Sequence, residues 1–341
     1  MIDERKQRIL QAIIDDYISS AEPVGSRTLA RKHDLGVSPA TIRNEMADLE
    51  MLGYLEHIHT SSGRIPSSKG YRFYVDGLLP PKPMSDEEKL LIDQWYRARV
   101  RRIDEVFQET ARLISQVTRN VSIVLAPQVT QAAFRCLQFL PLDDHRAIAV
   151  IMTDVGFVEN KIIEMPSGAG FEDFRRMAGV INRCLAGRTL RSIEGPVMQR
   201  IRDEIGDERL YGSALEVIQR ALDSEKKERL YLGGATHMME QPEFHDVDRI
   251  KDILLMLEEE ELIKDILHAH MGDGLEVTIG QENEESRIKD CSIITATYHL
   301  DGELLGTNAV LGPTRMEYGK AMSLLEYMNT NLANVIRRFH W

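Results

Sequence analysis

Arg43 and Asn44 are the side chains whose chemistry follows most directly from type and position. An arginine fork pairs with guanine O6 and N7, and an asparagine amide pairs with adenine N6 and N7. Both follow Ser38-Pro39, the clearest helix start in the chain. Serine caps the free amides, and proline takes the first helical position, where no N–H is needed. A helix over 40–52 puts Ile42, Met46 and Leu49 on one apolar stripe and leaves Ala40, Thr41, Arg43, Asn44 and Ala47 outward. Small, polar and basic groups on one helix face can enter a major groove. The competing reading is a solvated surface on which Arg43 pairs with an acid such as Asp48.

Other chemistries find little footing. There is no GxGxxG after a strand, no GxxxxGK[ST] and no GxSxG, so an enzyme is the least expected class and no cofactor is expected. His57 and His59 have no third ligand nearby. His268, His270 and Asp273 lack cysteines or an HExxH frame, so no metal site is expected. Glu258, Glu259, Glu260 and Glu261 read as a solvated helix face. Cys136, Cys184 and Cys291 sit among apolar neighbours and read as buried, reduced thiols of a cytoplasmic protein. The first ten residues lack an apolar signal region, and no stretch approaches the roughly 20 apolar residues that span a bilayer.

The elements that must position Arg43 and Asn44 are written around them. Ile9, Leu10, Ile13, Ile14, Tyr17 and Ile18 recur at helical spacing over 5–20, and Glu22-Pro23 stops that helix. Gly25-Ser26 offers a cap to a short helix over 27–33, and Gly36 sits in the tight turn that follows. After Gly53, residues 54–59 alternate like a half-buried strand. Residues 61–64 form a polar turn, and a return strand begins at Ile65. Helix, helix, reading helix and strand–turn–strand make a winged helix-turn-helix over 1–79. Arg64 and Lys69 are placed for the sugar-phosphate backbone.

The net charge of −12 argues weakly against a polyanion partner, and 24–72 holds seven Lys or Arg against five Asp or Glu. Electrostatics alone is therefore too weak for tight binding, and two linked copies must share the work.

Beyond that module, Leu79-Pro80-Pro81-Lys82-Pro83 reads as a linker between loosely coupled domains. Ser85 and Glu88 open a long helix to about 117 as a capping box, with Leu91, Trp95, Ile103, Phe107, Leu113 and Ile114 on its buried side. Strands follow over 121–126, 134–141, 147–153 and 158–165, then a helix over 172–185. Residues 188–270 read as mostly helical. Strands return over 275–279, 292–298 and 302–312, and a helix over 316–338 closes the chain. The expectation is a multidomain α+β protein: a sheet domain in two parts, 80–187 and 271–341, interrupted by an insertion over 188–270.

Three stretches carry a resemblance along essentially the whole chain. They are PVGSRTLARKHDLGVSPATIRNEMADLEMLGYL continuing into HTSSGRIPSSKGYRFYVD, then VTIGQEN, then LGPTRMEYGKAMSLL. By these the chain resembles the heat-inducible transcription repressor family HrcA. The resemblance implies a winged helix, a central GAF-like domain and an inserted dimerising domain. It implies a homodimer on double-stranded DNA, at an inverted-repeat operator (the CIRCE element) upstream of groESL- and dnaK-type operons. It also implies a GroEL-type chaperonin that keeps the repressor active until heat draws it onto unfolded clients. Carried over residue by residue, the DNA-binding positions are Arg27, Ser38, Pro39, Ala40, Thr41, Arg43, Asn44, Ser62, Gly63, Arg64 and Lys69. Two alternatives stay open: a metabolite-responsive repressor with its effector site in the GAF-like domain, and a chaperonin-binding adaptor whose winged helix contacts only proteins.

Overall fold

The computed structural model describes residues 2–57, 63–80, 82–99, 103–126, 133–153, 158–189, 192–193, 195–225, 228–272, 274–300 and 303–338. Three helices open the chain: α1 (Glu4–Ser20), α2 (Ser26–Lys32) and α3 (Pro39–Met51). Ile9, Leu10, Ile13 and Ile14 of α1 meet Leu29 of α2 and Ile42, Met46 and Leu49 of α3 in one apolar cluster. Burying each such side chain contributes roughly 1.5–3 kcal/mol, enough to hold short helices that would not persist alone. Strands β1 (Leu55–His57) and β2 (Arg64–Pro66) pair antiparallel, with Glu56 opposite Ile65. The remainder of the first expected strand and its turn, residues 58–62, lie outside the described residues. A short helix α4 (Ser68–Phe73), capped by Ser67, and a π-turn over Tyr74–Leu78 complete this module.

Helix α5 (Asp86–Arg99) starts at the expected capping box. The Glu88 amide donates to the Ser85 hydroxyl at 3.2 Å, and the Ser85 amide donates to the Glu88 carboxylate at 2.9 Å. The single helix expected to about 117 is instead two, because α6 (Ile103–Thr118) folds back along α5. Trp95 Nε1 donates to Glu109 at 2.8 Å, and the Tyr96 and Thr110 hydroxyls are 2.6 Å apart. Such pairs would stand about 21 Å apart on a straight helix. No glycine or proline interrupts 97–104, so the break leaves no mark in composition. It also changes the buried face: Leu91 is 67% exposed, and Ile92 and Tyr96 are buried in its place.

A five-stranded antiparallel sheet follows. It contains β3 (Val121–Ala126), β7 (Arg229–Gly233), β8 (Leu275–Ile279), β9 (Cys291–Leu300) and β10 (Glu303–Pro313), in the order β7-β3-β10-β9-β8. On one face Val124, Ile294 and Val310 join residues of α6 and of α12 (Tyr318–Arg338). On the other, Ile123, Ile293 and Leu311 meet Ile253, Leu257, Ile263 and Leu267 of α10 (Val247–Glu258) and α11 (Glu260–Ala269). Burial on both faces explains why β3 is buried at every position and apolar at all but Ser122, whose hydroxyl donates to the Ala111 carbonyl.

A second, separate core lies around β4 (Phe134–Pro141), β5 (Arg146–Thr153) and β6 (Val158–Glu164), a three-stranded antiparallel sheet. Phe139 and Ile151 pack against Phe174 and Ile181 of α7 (Phe171–Leu185), Ile201 of α8 (Gly195–Ile205) and Ile218 of α9 (Glu208–Glu225).

These cores divide the chain differently from the expected insertion over 188–270. Helices α8 and α9 belong with β4, β5 and β6, whereas β7, α10 and α11 belong with the five-stranded sheet. Strand β7 is a short edge strand abutting a charged helix end, so periodicity does not reveal it. The loose coupling expected across the prolines is also corrected. One continuous apolar cluster runs from α1 through Tyr71 and Tyr74 to Tyr318 and α12.

Candidate nucleic-acid interface

Helix α3 begins as its sequence dictates. The Ser38 hydroxyl accepts from the Thr41 amide at 3.2 Å and lies 3.0 Å from the Thr41 hydroxyl, with Pro39 in the first turn. Pro39, Ala40, Arg43, Asn44 and Ala47 are exposed, Thr41 is half-buried, and Met51 extends the exposed face. Arg27, at the start of α2, is exposed as well.

The charges on α3 are sorted by its neighbours. Its carboxylates are Glu45, Asp48 and Glu50, and Arg43 is its one cation. Lys6 of α1 pairs with Glu45 at 2.7 Å and Asp48 at 3.2 Å, and Arg5 pairs with Glu45 at 3.5 Å. The hydrogen bond to Glu45 holds the Lys6 ammonium above its ordinary pKa. Glu50 takes Arg64 from the hairpin. Arg43 and Asn44 have no side-chain partner among the described residues, so the expected alternative of an Arg43–Asp48 pair does not occur. A helix with more acids than bases thus has its carboxylates engaged by neighbours, while the exposed Pro39, Ala40, Arg43, Asn44, Ala47 and Met51 carry one charge, that of Arg43.

The hairpin residues are less free than their types suggest. Arg64 Nε donates to Glu50 Oε2 at 2.6 Å, and its backbone pairs with Val24 in both directions at 2.9 Å. Lys69 Nζ donates to the Leu52 carbonyl at 2.8 Å and lies 4.6 Å from the centre of the Tyr54 ring. Both cations lie at the negative end of α3. Gly63 is buried, and a Cβ there would sit 2.7 Å from Pro23, so glycine lets the hairpin close on the α1–α2 turn. Ser62 lies outside the described residues.

Sequence reading missed the groups that do the sorting, Arg5, Lys6 and Glu50. Nothing in their spacing links them to α3, because the contacts form only when α1 and the hairpin pack on it. Of the residues considered for a metal, His59 and Asp273 lie outside the described residues. His268 turns to Glu228 and His270 to Glu276, so the two do not converge. Cys184 and Cys291 are buried, and Cys136 is only half-buried, contrary to expectation. Among the described residues no helix is long and apolar enough to cross a membrane.

Fold and site together define a multidomain α+β protein that offers an exposed helix face at the end of a docked helical module. Comparison with known proteins narrows this. The family described as HrcA protein C terminal domain matches residues 104–322. The heat-inducible transcription repressor HrcA of Pelotomaculum thermopropionicum is 44% identical over 339 residues, covering 99% of this chain and 97% of that protein. That of Symbiobacterium thermophilum is 42% identical over 344 residues, covering 99% and 100%. A crystal structure at 2.2 Å resolution titled only as a hypothetical protein matches in fold, with TM-score 0.71, 22% identity and coverage of 99% and 100%. The chain belongs to the heat-inducible transcription repressor HrcA family.

Proposed function

We propose that the chain is a repressor of heat-shock genes that reads an inverted-repeat operator, the CIRCE element, with the exposed face of α3. The observation that carries this reading is the sorting of charge on α3. Every carboxylate is paired toward α1 or the hairpin, and Arg43 and Asn44 are left unpaired on the outer face. Residues 1–79 act as a winged helix-turn-helix, with Arg27, Arg64 and Lys69 toward phosphates and Arg43 and Asn44 toward base edges. Pro39 and Ala40 bring the start of the helix close to the groove floor. Ser38 and Thr41 fix its first turn, Gly63 lets the hairpin close on the α1–α2 turn, and Ser62 completes the set of DNA-binding residues.

The working unit is a homodimer. Helices α7, α8 and α9 cover one face of the three-stranded sheet, and the opposite face mixes exposed apolar residues with Gln138, Arg146, Asn160 and Glu164. There Cys136 faces Met152, Leu140 faces Ile148, and Ile148 faces Ile162 across strands, with Leu140 and Ile162 49% and 51% exposed. A twofold axis through two such faces joins the protomers and matches the symmetry of an inverted repeat. The dimerising unit in this reading runs from β4 to α9, and the five-stranded sheet with its helices is the GAF-like domain. A GroEL-type chaperonin maintains the active form.

The test is a gel shift of purified protein on the inverted-repeat operator and on a scrambled duplex, with and without chaperonin. A shift specific to the operator is expected, strengthened by chaperonin. No shift under either condition at moderate salt would leave a protein-only adaptor.

A further inference from the structure

Two of the three stretches that identify the family, VTIGQEN and LGPTRMEY, lie far from the reading module in sequence, yet both grip it. Arg315, in the turn between β10 and α12, donates through Nη1 to the Ile18 carbonyl at 3.2 Å. That carbonyl sits in the last turn of α1, where no helical amide remains to bond it. The same guanidinium donates to Gln241 at 2.8 Å and to Glu243, and the side chain is 13% exposed. On the other side of the module, Arg72 of α4 donates through Nε to Glu282 at 2.9 Å and also to the Val277 carbonyl. Gly280 has a positive φ of 55°, and a Cβ there would meet the Ser68 hydroxyl at 2.3 Å. Between these two clamps the Tyr71 and Tyr318 rings lie 5.9 Å apart, both buried.

We infer that Arg315 and Arg72 are positioning residues for operator recognition, fixing the angle at which α3 is carried relative to the dimer axis. This inference rests on the DNA-reading dimer proposed above. Neither residue touches the exposed face of α3, so each acts through the seat of the module. A rigid seat makes two linked reading helices selective for half-site separation, because both engage only when their geometry fits the DNA. A module free to pivot would tolerate other separations.

The experiment uses the full-length protein and its Arg315→Ala and Arg72→Ala variants on three duplexes. These are the CIRCE operator, the same operator with its spacer lengthened by about half a helical turn, and a single half-site. Wild type is expected to prefer the native spacing by about 100-fold. Each variant is expected to drop below about 10-fold, with half-site affinity, dimer mass and circular dichroism unchanged. Wild-type spacing preference in both variants overturns the inference. If Arg315→Ala proves unfolded by circular dichroism, the partly exposed Arg72 decides alone: wild-type preference in Arg72→Ala then overturns it. Failure of wild type itself to bind the operator overturns the DNA-reading function, and this inference with it.

Discussion

Arg64 Nε donates to Glu50 Oε2 at 2.6 Å, tying the second strand of the hairpin to the last turn of α3. A carboxylate at a helix C-terminus opposes the helix dipole, and the guanidinium offsets it. In the proposed DNA complex, Arg64 exchanges this partner for a phosphate. Glu50→Gln removes the competitor and is expected to tighten operator binding a few-fold with the slope of log affinity against log salt unchanged, since both proteins make the same phosphate contact. Weaker binding would assign Arg64 to holding the hairpin alone.

Ser38→Ala deletes the acceptor for the Thr41 amide and leaves the first turn of α3 uncapped. The expected loss is about 1 kcal/mol, against only a few tenths for Ser38→Gly. Urea unfolding of the two variants checks the order. Equal losses would mean that the hydroxyl contributes nothing beyond backbone freedom.

Ile162→Asp places a charge on the open face of the three-stranded sheet, directly across from Ile148. The variant is expected to sediment as a monomer with its circular dichroism intact. Cys136, on the same face, should then react with a maleimide faster than in wild type. Cys291 should stay unreactive in both, since burial pushes its thiol pKa up to about 12. A dimeric Ile162→Asp would move the interface elsewhere.

Burial alone would raise the pKa of Glu282, but the hydrogen bonds from Arg72 and the Ile279 amide hold it below its ordinary value. A depressed folded-state pKa gives stability that is present above the unfolded value of about 4.3 and lost as pH falls through the folded one. Unfolding free energy measured from about pH 6 to about pH 3 should therefore fall less steeply at its acid end in Glu282→Gln than in wild type. Identical slopes would show that the contact contributes nothing to folding.

Local grammar was readable wherever a single segment decides its own structure. The Ser38-Pro39 start, the Ser85–Glu88 capping box and the strands over 134–141 and 147–153 all correspond to what the chain forms. What stayed hidden depends on contacts distant in sequence. The fold-back between α5 and α6 is fixed by Trp95–Glu109 and Tyr96–Thr110, with no turn residue to announce it. Strand β7 gains its place only by pairing with β3, with Leu232 opposite Ile123. At the candidate interface, residue type showed which groups could touch DNA. It could not show that Arg64 and Lys69 are engaged with the end of α3, or that Lys6 draws Glu45 and Asp48 away from its outer face.

The account stands most directly on Arg43, the unpaired cation on the outer face of α3. The decisive measurement is the ratio of operator to scrambled-duplex affinity for Arg43→Ala against wild type at one salt concentration. A base-reading arginine predicts a loss of about 1–3 kcal/mol on the operator and a collapse of the ratio. An unchanged ratio would contradict the claim that this face reads sequence.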